Sequence, residues 1–260
     1  MTDPRVSEHS LFNAAAPDAK RVTAAPHEGA IEALIASDKG AFQPRPRDEI
    51  TTRSVNILVA STALLVLAPF LIPLGLLVAA TSRGPIIYRQ TRVGLDRRRR
   101  SQPLDIGRDR RVRDLGGEAF HIYKFRSMVN DAEHDGAVWA TANDARVTSL
   151  GRVLRALRLD EAPQLINVLR GDMNIVGPRP ERPGIFLHLR DVIEDYPLRQ
   201  LGRPGITGWA QINHHYDQTI DDVRTKVRYD LEYLRHQGLT EDLRIMLKTI
   251  PVMLLRRGSL

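Results

Sequence analysis

Residues 55–80 read VNILVASTALLVLAPFLIPLGLLVAA, and this apolar stretch decides how the rest of the chain is placed. No charged residue lies between Arg53 and Arg83. A helix of about 20 residues is enough to cross a bilayer, so the stretch is long enough to be embedded in a membrane. A cleaved signal peptide is not expected, because the stretch begins too far from Met1 and is too long for the apolar region of such a peptide.

Two prolines, Pro69 and Pro73, lie at the centre of this stretch. Each removes a backbone donor, and together they predict a sharp kink or break in the helix. Basic residues flank both ends: Arg45, Arg47 and Arg53 before the stretch, and Arg83, Arg89 and Arg92 after it. A simple span would carry more positive charge on one side. We therefore predict a re-entrant helix over residues 51–83 that dips into one leaflet and returns, with a full span as the alternative.

Composition bounds the remainder of the chain. With 260 residues and 42% hydrophobic residues, the chain has room for one globular domain, predicted at 84–260, plus a tail. Residues 1–50 lack sustained periodicity and are rich in Ala, Pro and charged residues, which predicts a disordered N-terminal tail. The chain contains no cysteine, which excludes disulfides, thiolate metal sites and a cysteine nucleophile and fits a reducing compartment.

The positive charge is concentrated in a basic block that adjoins the apolar stretch. The formal net charge is +7, and residues 83–113 hold eleven arginines against three aspartates, so the rest of the chain sums to −1. Anionic lipid headgroups attract such residues by about 1 kcal/mol each near the surface. Nucleic-acid binding is the competing interpretation, and it is weaker because Tyr88 is the block's only aromatic residue for base stacking.

Hydrophobic periodicity predicts an α/β domain after the apolar stretch. Short strands are predicted at 85–90 and 120–128, with the Arg-rich residues 96–117 as a polar insertion between them. Helices are predicted at 150–157, 163–169, 221–237 and 240–256, and loops at the Pro- and Gly-dense segments 175–180 and 202–209. The last helix is apolar enough to lie on a bilayer, although packing against the core is the preferred use of its apolar face.

An acidic pair, Asp160-Glu161, follows the apolar stretch by about eighty residues. Taken alone, the pair is typical of a helix N-terminus, with Asp160 as the cap and Pro163 in the first turn. A helix N-terminus also favours anionic groups, including phosphates, so a structural and a chemical role are compatible. Two carboxylates close to a membrane predict chemistry on a lipid.

Four motifs occur in order along the chain: IYKFRSM at 122–128, LDEAPQLINVLRGDM at 159–173, VGPRP at 176–180 and RPGITGWAQ at 203–211. Together they closely resemble the monotopic phosphoglycosyl transferases, also called bacterial sugar transferases, which start lipid-linked glycan assembly on polyprenyl phosphate. The resemblance covers about residues 53–258. It implies a compact α/β catalytic domain at the cytoplasmic face of the bacterial inner membrane, with a re-entrant helix and interfacial amphipathic helices. Ala68 departs from the family, which often has Ser before the first proline.

The resemblance also implies roles for the acidic pair. Moving a sugar phosphate between phosphate groups requires a nucleophile, cationic clamps and usually a metal ion. An aspartate can form an acyl-phosphate intermediate, and by resemblance Asp160 is that nucleophile and releases UMP. Glu161 is expected to assist, either in metal binding or in proton handling. The expected cofactor is Mg²⁺, held close to Asp160.

By the same resemblance, four basic residues are expected to bind substrate phosphates: Lys124, Arg126, Arg155 and Arg179. For the first three, a solvated cationic face is the alternative. Arg179 stands between two prolines that fix the backbone on both sides, which favours a rigid donor to the nucleotide or phosphate. Asp230 matches a late acidic residue of the family and is expected in the substrate-binding site, and a surface ion pair with Arg228 or Arg235 is the alternative.

The resulting hypothesis is an enzyme that transfers a hexose-1-phosphate from a UDP-sugar to undecaprenyl phosphate with Mg²⁺. Such a reaction opens the assembly of an exopolysaccharide, a capsule or an O-antigen. The expected partners are the UDP-sugar, the polyprenyl phosphate, anionic membrane lipids and a second copy of the chain, with no nucleic acid. A catalytically silent membrane-docked scaffold is the alternative, and the intact acidic pair argues against it.

Overall fold

The computed structural model describes residues 42–97, 116–130, 144–214 and 219–254. Most of the expected N-terminal tail and of the Arg-rich insertion lies outside the described residues, so both remain predictions. The described helices are α1 (Glu49–Thr81), α2 (Ser149–Ala156), α3 (Gln164–Arg170), α4 (Pro183–Val192), α5 (Trp209–Asn213), α6 (Ile220–His236) and α7 (Leu239–Leu254). The strands are β1 (Ile87–Val93), β2 (Ala119–Phe125), β3 (Asn174–Val176) and β4 (Gly205–Thr207), and 3₁₀ turns cover Leu159–Glu161 and Tyr196–Leu201.

The first two strands form an antiparallel hairpin, as the alternation of their residues predicts. Tyr88 pairs with Lys124 across the hairpin, and Arg92 pairs with Phe120. Paired residues share a face and every second residue returns to it, so Lys124 and Arg92 project from the same side of the sheet. This side faces the acidic pair, because the Lys124 amine contacts Glu161.

The other two strands replace predicted loops. The loop predictions at 175–180 and 202–209 were wrong in part, because Asn174 pairs in parallel with Gly205 and Val176 pairs with Thr207. A Cβ atom on Gly205 would lie 2.1 Å from the backbone nitrogen of Gly177, so glycine is required for the two segments to approach this closely. Glycine density suggested loops, whereas here it allows close strand contact.

Both ends of α1 are hydrogen-bonded to the globular domain. Near its start, Arg53 donates to the carbonyl oxygens of Val168 and Leu169 at the end of α3, and the Asn56 side-chain oxygen accepts the Ile175 backbone N–H at 2.5 Å. Near its end, Arg126 donates to the carbonyl oxygens of Ser82 and Pro85, each at 2.5 Å. The two bonds from Arg53 satisfy carbonyl groups in the last turn of α3, which the helix end otherwise leaves without partners.

One face of α1 packs on the domain along the whole helix. Ala60, Leu64 and Leu67 contact the main core, and Leu71, Leu74 and Val78 contact a smaller cluster around Phe125 and Leu154. Their spacing of three or four residues places them on a single face. The opposite face exposes large apolar side chains: Leu58, Leu65, Val66, Phe70, Ile72 and Leu76. Only 11% of its most apolar 18-residue window is buried, so α1 is unlike the core helix of a soluble protein.

The two prolines do not interrupt the helix. Residues 49–81 are helical throughout, including Pro69 and Pro73, so the predicted break is not seen as a gap in the helix. Each proline still removes one backbone hydrogen bond. Membrane helices tolerate this loss through local adjustments of the helix and neighbouring groups. Length and composition are sufficient for α1 to cross a membrane.

The predicted helices at 150–157, 163–169 and 221–237 are confirmed as α2, α3 and α6, and the described part of the last prediction is α7. Helix α7 uses its apolar residues in two ways. Ile245 is fully buried in the core, as preferred from the sequence, while Leu243, Leu247 and Ile250 are exposed on the other side. Helices α4 and α5 were not predicted. Helix α4 begins at Pro183, whose fixed backbone angle suits the first helical turn.

Candidate active site

The acidic pair lies on a 3₁₀ turn between α2 and α3. Arg158, which precedes the turn, has a left-handed backbone with φ of 57°. Helix α3 is preceded by Pro163 and has no side-chain cap, so the interpretation of Asp160 as a helix cap was wrong. The reason is the separate turn, which places Asp160 three residues before the position from which a side chain can cap.

The Asp160 carboxylate is nearly buried but not engaged. The residue is 7% exposed, and within the described segments no side chain or backbone group forms a hydrogen bond or ion pair with its oxygens. Buried carboxylates usually have such partners. An unpaired carboxylate in this position is available to an incoming group.

Glu161, in contrast, is held by two cations from different parts of the fold. The Lys124 amine lies 2.8 Å from its Oε1 atom. Arg179, in the loop after β3, donates from Nη2 to Oε1 at 2.5 Å and from Nη1 to Oε2 at 3.3 Å. The structure therefore brings the acidic pair together with Lys124 and Arg179, which are far apart in the sequence.

This arrangement shifts the pKa values of the two carboxyl groups in opposite directions. Burial opposes ionisation of Glu161, but the charges of Arg179 and Lys124 hold its pKa well below the usual value. Burial and the adjacent Glu161 anion raise the pKa of Asp160, and nearby cations offset this only in part. Burial also lowers the pKa of Lys124. Two titratable groups with opposite shifts are typical of catalytic sites.

Arg155 lies at the edge of this cluster on α2. Its Nε donates to the Ser127 hydroxyl at 3.0 Å, and its charge offsets part of the rise in the pKa of Asp160. Its terminal amino groups form no hydrogen bond within the described segments, so they are available to a phosphate. The binding of phosphate by Arg155 stays a prediction.

The structure places the other two expected site residues elsewhere. Arg126 holds the end of α1. Asp230 is 2% exposed and pairs with Arg199, whose Nε lies 2.6 Å from the Asp230 carboxylate. The surface ion pair considered for Asp230 was wrong, because its side of α6 faces the core. Substrate contact by Arg126 or Asp230 remains a prediction.

Two arginines that support the site were not predicted as site residues. Arg92 donates to the Pro180 carbonyl oxygen at 3.0 Å and to Glu181 at 3.1 Å. Arg199 donates to the Arg179 carbonyl oxygen at 3.0 Å. Strand alternation could have placed Arg92 on the same face of the hairpin as Lys124. No sequence signal marks Arg199, which lies in a 3₁₀ turn.

The described segments contain no cluster of three or more His, Cys, Asp or Glu residues that could enclose a metal ion. Magnesium, however, is often bound through one or two carboxylates together with substrate phosphates. Asp160 offers such a carboxylate without a competing partner. These residues fit an ion that is held jointly by Asp160 and the phosphates of a bound substrate.

An unpaired carboxylate lies beside a charge-stabilised one, with cations around both, and such a constellation is typical of catalytic sites. The same domain carries a helix that is long and apolar enough to cross a membrane. Residues 47–256 match the family model described as bacterial sugar transferase, and the chain belongs to this family.

Three relatives illustrate the similarity. The chain is 36% identical over 229 residues to the UDP-N-acetylgalactosamine-undecaprenyl-phosphate N-acetylgalactosaminephosphotransferase of Aeromonas hydrophila, covering 88% of this chain and 49% of that protein. It is 39% identical over 206 residues to the UDP-glucose:undecaprenyl-phosphate glucose-1-phosphate transferase of Escherichia coli K12, covering 78% and 40%. The exopolysaccharide production protein ExoY of Rhizobium meliloti is 37% identical over 226 residues, covering 87% of this chain and 94% of ExoY. The chain thus spans half or less of the first two relatives.

Proposed function

We propose that this protein transfers a sugar-1-phosphate from a UDP-sugar to undecaprenyl phosphate through a covalent intermediate on Asp160. The observation that carries the proposal is the unpaired Asp160 carboxylate beside the Lys124–Glu161–Arg179 cluster. The names of two relatives contain undecaprenyl phosphate and a UDP-sugar, which supports these substrate classes. Those two names contain different sugars, so the sugar is left open.

In the first step, an Asp160 oxygen attacks the phosphorus that carries the sugar. The bond from this phosphorus to the bridging oxygen breaks, UMP leaves with the electron pair, and Asp160 holds the sugar phosphate as an acyl phosphate. In the second step, a phosphate oxygen of undecaprenyl phosphate attacks the same phosphorus. The bond to Asp160 breaks, and the carboxylate is restored with no net proton transfer.

The cations have separate tasks in this scheme. Glu161 engages one N–H of Lys124 and two of Arg179, which leaves the remaining N–H groups of both for phosphate oxygens. Because these donors are fixed before substrate arrives, they stabilise developing negative charge without reorganisation. A magnesium ion held by Asp160 and the donor phosphates would supply further charge neutralisation.

The direct test of the proposal is UMP release from a panel of UDP-sugars in the presence of undecaprenyl phosphate. We expect the purified full-length protein to release UMP from at least one UDP-hexose, in proportion to the lipid-linked product formed. A silent scaffold would release none from any donor while still binding membranes.

Chelation should stop the reaction. We expect EDTA to lower UMP release by about 10²-fold or more and added Mg²⁺ to restore it, because several kcal/mol of charge stabilisation depend on the ion. The melting temperature without substrate should not change, since Asp160 alone does not form a metal cage. Full turnover in excess chelator would contradict a role for Mg²⁺.

We also propose that α1 enters and leaves the membrane on the cytoplasmic side. Both ends of the helix are bonded to the same domain, and its inner face contacts that domain along its length. A full span would carry one of these ends away from the domain. The exposed apolar faces of α1 and α7 are then the surfaces that contact lipid.

Single-cysteine labelling tests this topology, and the absence of native cysteines removes any background. Glu49 and Arg83 are exposed at the two ends of α1. We expect Glu49→Cys and Arg83→Cys both to react with an impermeant maleimide in inverted vesicles and neither to react in intact cells. Labelling of one position from each side would show a full span.

A further inference from the structure

A buried ion pair lies directly behind the loop that carries Arg179. Arg199 is 1% exposed, and its three nitrogen atoms have three different partners. Its Nε donates to the Asp230 carboxylate at 2.6 Å, its Nη1 to the Tyr196 hydroxyl at 2.9 Å and its Nη2 to the Arg179 carbonyl oxygen at 3.0 Å. A single guanidinium therefore connects α6 to the backbone of a residue that contacts Glu161.

The loop needs such external donors. Pro178 and Pro180 have no backbone N–H, so the segment cannot form regular hydrogen bonds of its own. Its successive carbonyl oxygens are each held from outside: that of Pro178 by the Gly205 N–H at 3.0 Å, that of Arg179 by Arg199 at 3.0 Å, and that of Pro180 by Arg92 at 3.0 Å. Arg199 supplies the central bond, at the residue whose side chain reaches the acidic pair.

We propose that Arg199 and Asp230 are positioning residues that act through Arg179, an assignment that rests on the proposed function. Asp230 supplies the charge that lets a guanidinium remain buried, and this charge also raises the pKa of Arg199 although burial opposes it. The planar guanidinium then fixes the direction of the Nη2 donor. The oriented loop in turn holds the Arg179 side chain against Glu161.

This assignment differs from direct substrate binding by Asp230. The Asp230 carboxylate is buried and faces Arg199, and its negative charge would repel a phosphate. It also differs from a role in stability alone. Buried ion pairs often add little net stability compared with apolar residues of similar size. A contribution to stability alone therefore does not explain well why an ion pair occupies this position.

A double-mutant cycle on UMP release tests the assignment. Asp230→Asn keeps the shape and an acceptor oxygen but loses the anion, and Arg199→Lys keeps the charge but loses the planar set of donors. Each should lower kcat by roughly 10- to 100-fold at temperatures well below melting, as expected for a misplaced catalytic group. In an Arg179→Ala background, the same changes should lower kcat by less than about twofold, because their effect passes through Arg179.

Asp242→Asn is the matched control. Asp242 forms another buried ion pair, with Arg47, in which the two side chains are 5% and 6% exposed. This pair holds the segment before α1, and it reaches the end of β3 only through the Tyr233 hydroxyl, which donates to Asp242 at 2.7 Å and to the Val176 carbonyl oxygen at 3.3 Å. Neither member of the pair forms a hydrogen bond with Arg179 or its two flanking prolines. We expect Asp242→Asn to lower the melting temperature, with kcat of the folded enzyme changed less than about twofold in either background.

Equal losses of kcat from Asp230→Asn in the two backgrounds would overturn the assignment, because Asp230 would then act independently of Arg179. A lower melting temperature with unchanged kcat would overturn it as well, because the pair would be only structural. Wild-type protein is assayed first, since a lack of UMP release from every donor contradicts the proposed function instead. In that case the same cycle is measured on UDP affinity. If Asp230→Asn weakens UDP binding only when Arg179 is present, the assignment is supported. If it weakens UDP binding by the same factor in the Arg179→Ala background, the assignment is overturned.

Discussion

Asp160→Asn is expected to lower UMP release by about 10⁴-fold or more while raising the melting temperature. The activity is lost because an amide of nearly the same shape cannot form the acyl phosphate. The stability gain follows from the raised pKa of Asp160, which burial and the Glu161 anion cause. The folded protein holds this proton more tightly than the unfolded chain, so the ionised carboxylate destabilises the fold at neutral pH, and the neutral amide removes that cost.

The gain in stability of Asp160→Asn should depend on pH in a definite direction. The stability gain should be complete above the raised pKa and should vanish as the pH falls through it to below the ordinary value, where Asp160 is protonated in both states. In the wild type, kcat/KM should fall over the same acidic range, because the protonated acid is not a nucleophile. Differential scanning fluorimetry and a UMP assay measure the two effects. Substantial UMP release, or a lower melting temperature at pH 7, would contradict the assignment.

Glu161→Gln is expected to change stability in the opposite direction. The Glu161 side chain is 11% exposed, and replacing its carboxylate by an amide leaves the positive charges of Lys124 and Arg179 without an anionic partner. Removing one partner of a buried ion pair costs about 3–5 kcal/mol, and the partial exposure of Arg179 places this case towards about 2–3 kcal/mol. Turnover should fall by about 10²-fold or more, because Lys124 and Arg179 lose their fixed positions.

The stabilising effect of Glu161 should depend on pH in the sense set by its lowered pKa. It should be fully present above the pKa of an unfolded glutamate and should be lost as the pH falls through the lower folded value. Glu118→Gln is a matched control, because Glu118 forms an ion pair with Arg97 in which the side chains are 60% and 71% exposed. Such a pair contributes little to stability, so this change should leave both measurements unaltered. A Glu161→Gln variant as stable as the wild type would mean that the two cations do not depend on this anion.

The sequence motifs predicted much of the site because they place each residue in a definite local setting. Strand alternation accounts for Lys124, and the two prolines around Arg179 account for its rigid loop. The ends of α1 were predicted within about two residues, because charge and apolar character change sharply there. The contact of Lys124 and Arg179 with the Glu161 carboxylate was not predicted, because it depends on three separate elements. The resemblance to a family suggested only that both cations bind substrate phosphates.

The errors have a common physical origin in tertiary contacts. Glycines at 177 and 205 were taken as loop signals, yet they allow two strands to lie side by side. Asp160 was compatible with a helix cap because local rules do not foresee the 3₁₀ turn that separates it from α3. The buried pair of Asp230 with Arg199 joins residues thirty-one positions apart, and neither position carries a local signal of burial.

The central claim is that Asp160 itself becomes covalently linked to the sugar phosphate. Mass spectrometry of wild-type protein incubated with a UDP-sugar and no acceptor should show one added sugar phosphate per chain, located on Asp160, with a matching burst of UMP. Undecaprenyl phosphate should then remove the adduct and yield the lipid-linked sugar, and Asp160→Asn should show neither adduct nor burst. UMP release that requires the acceptor from the outset, without any adduct, would contradict the account and indicate direct transfer between the two substrates.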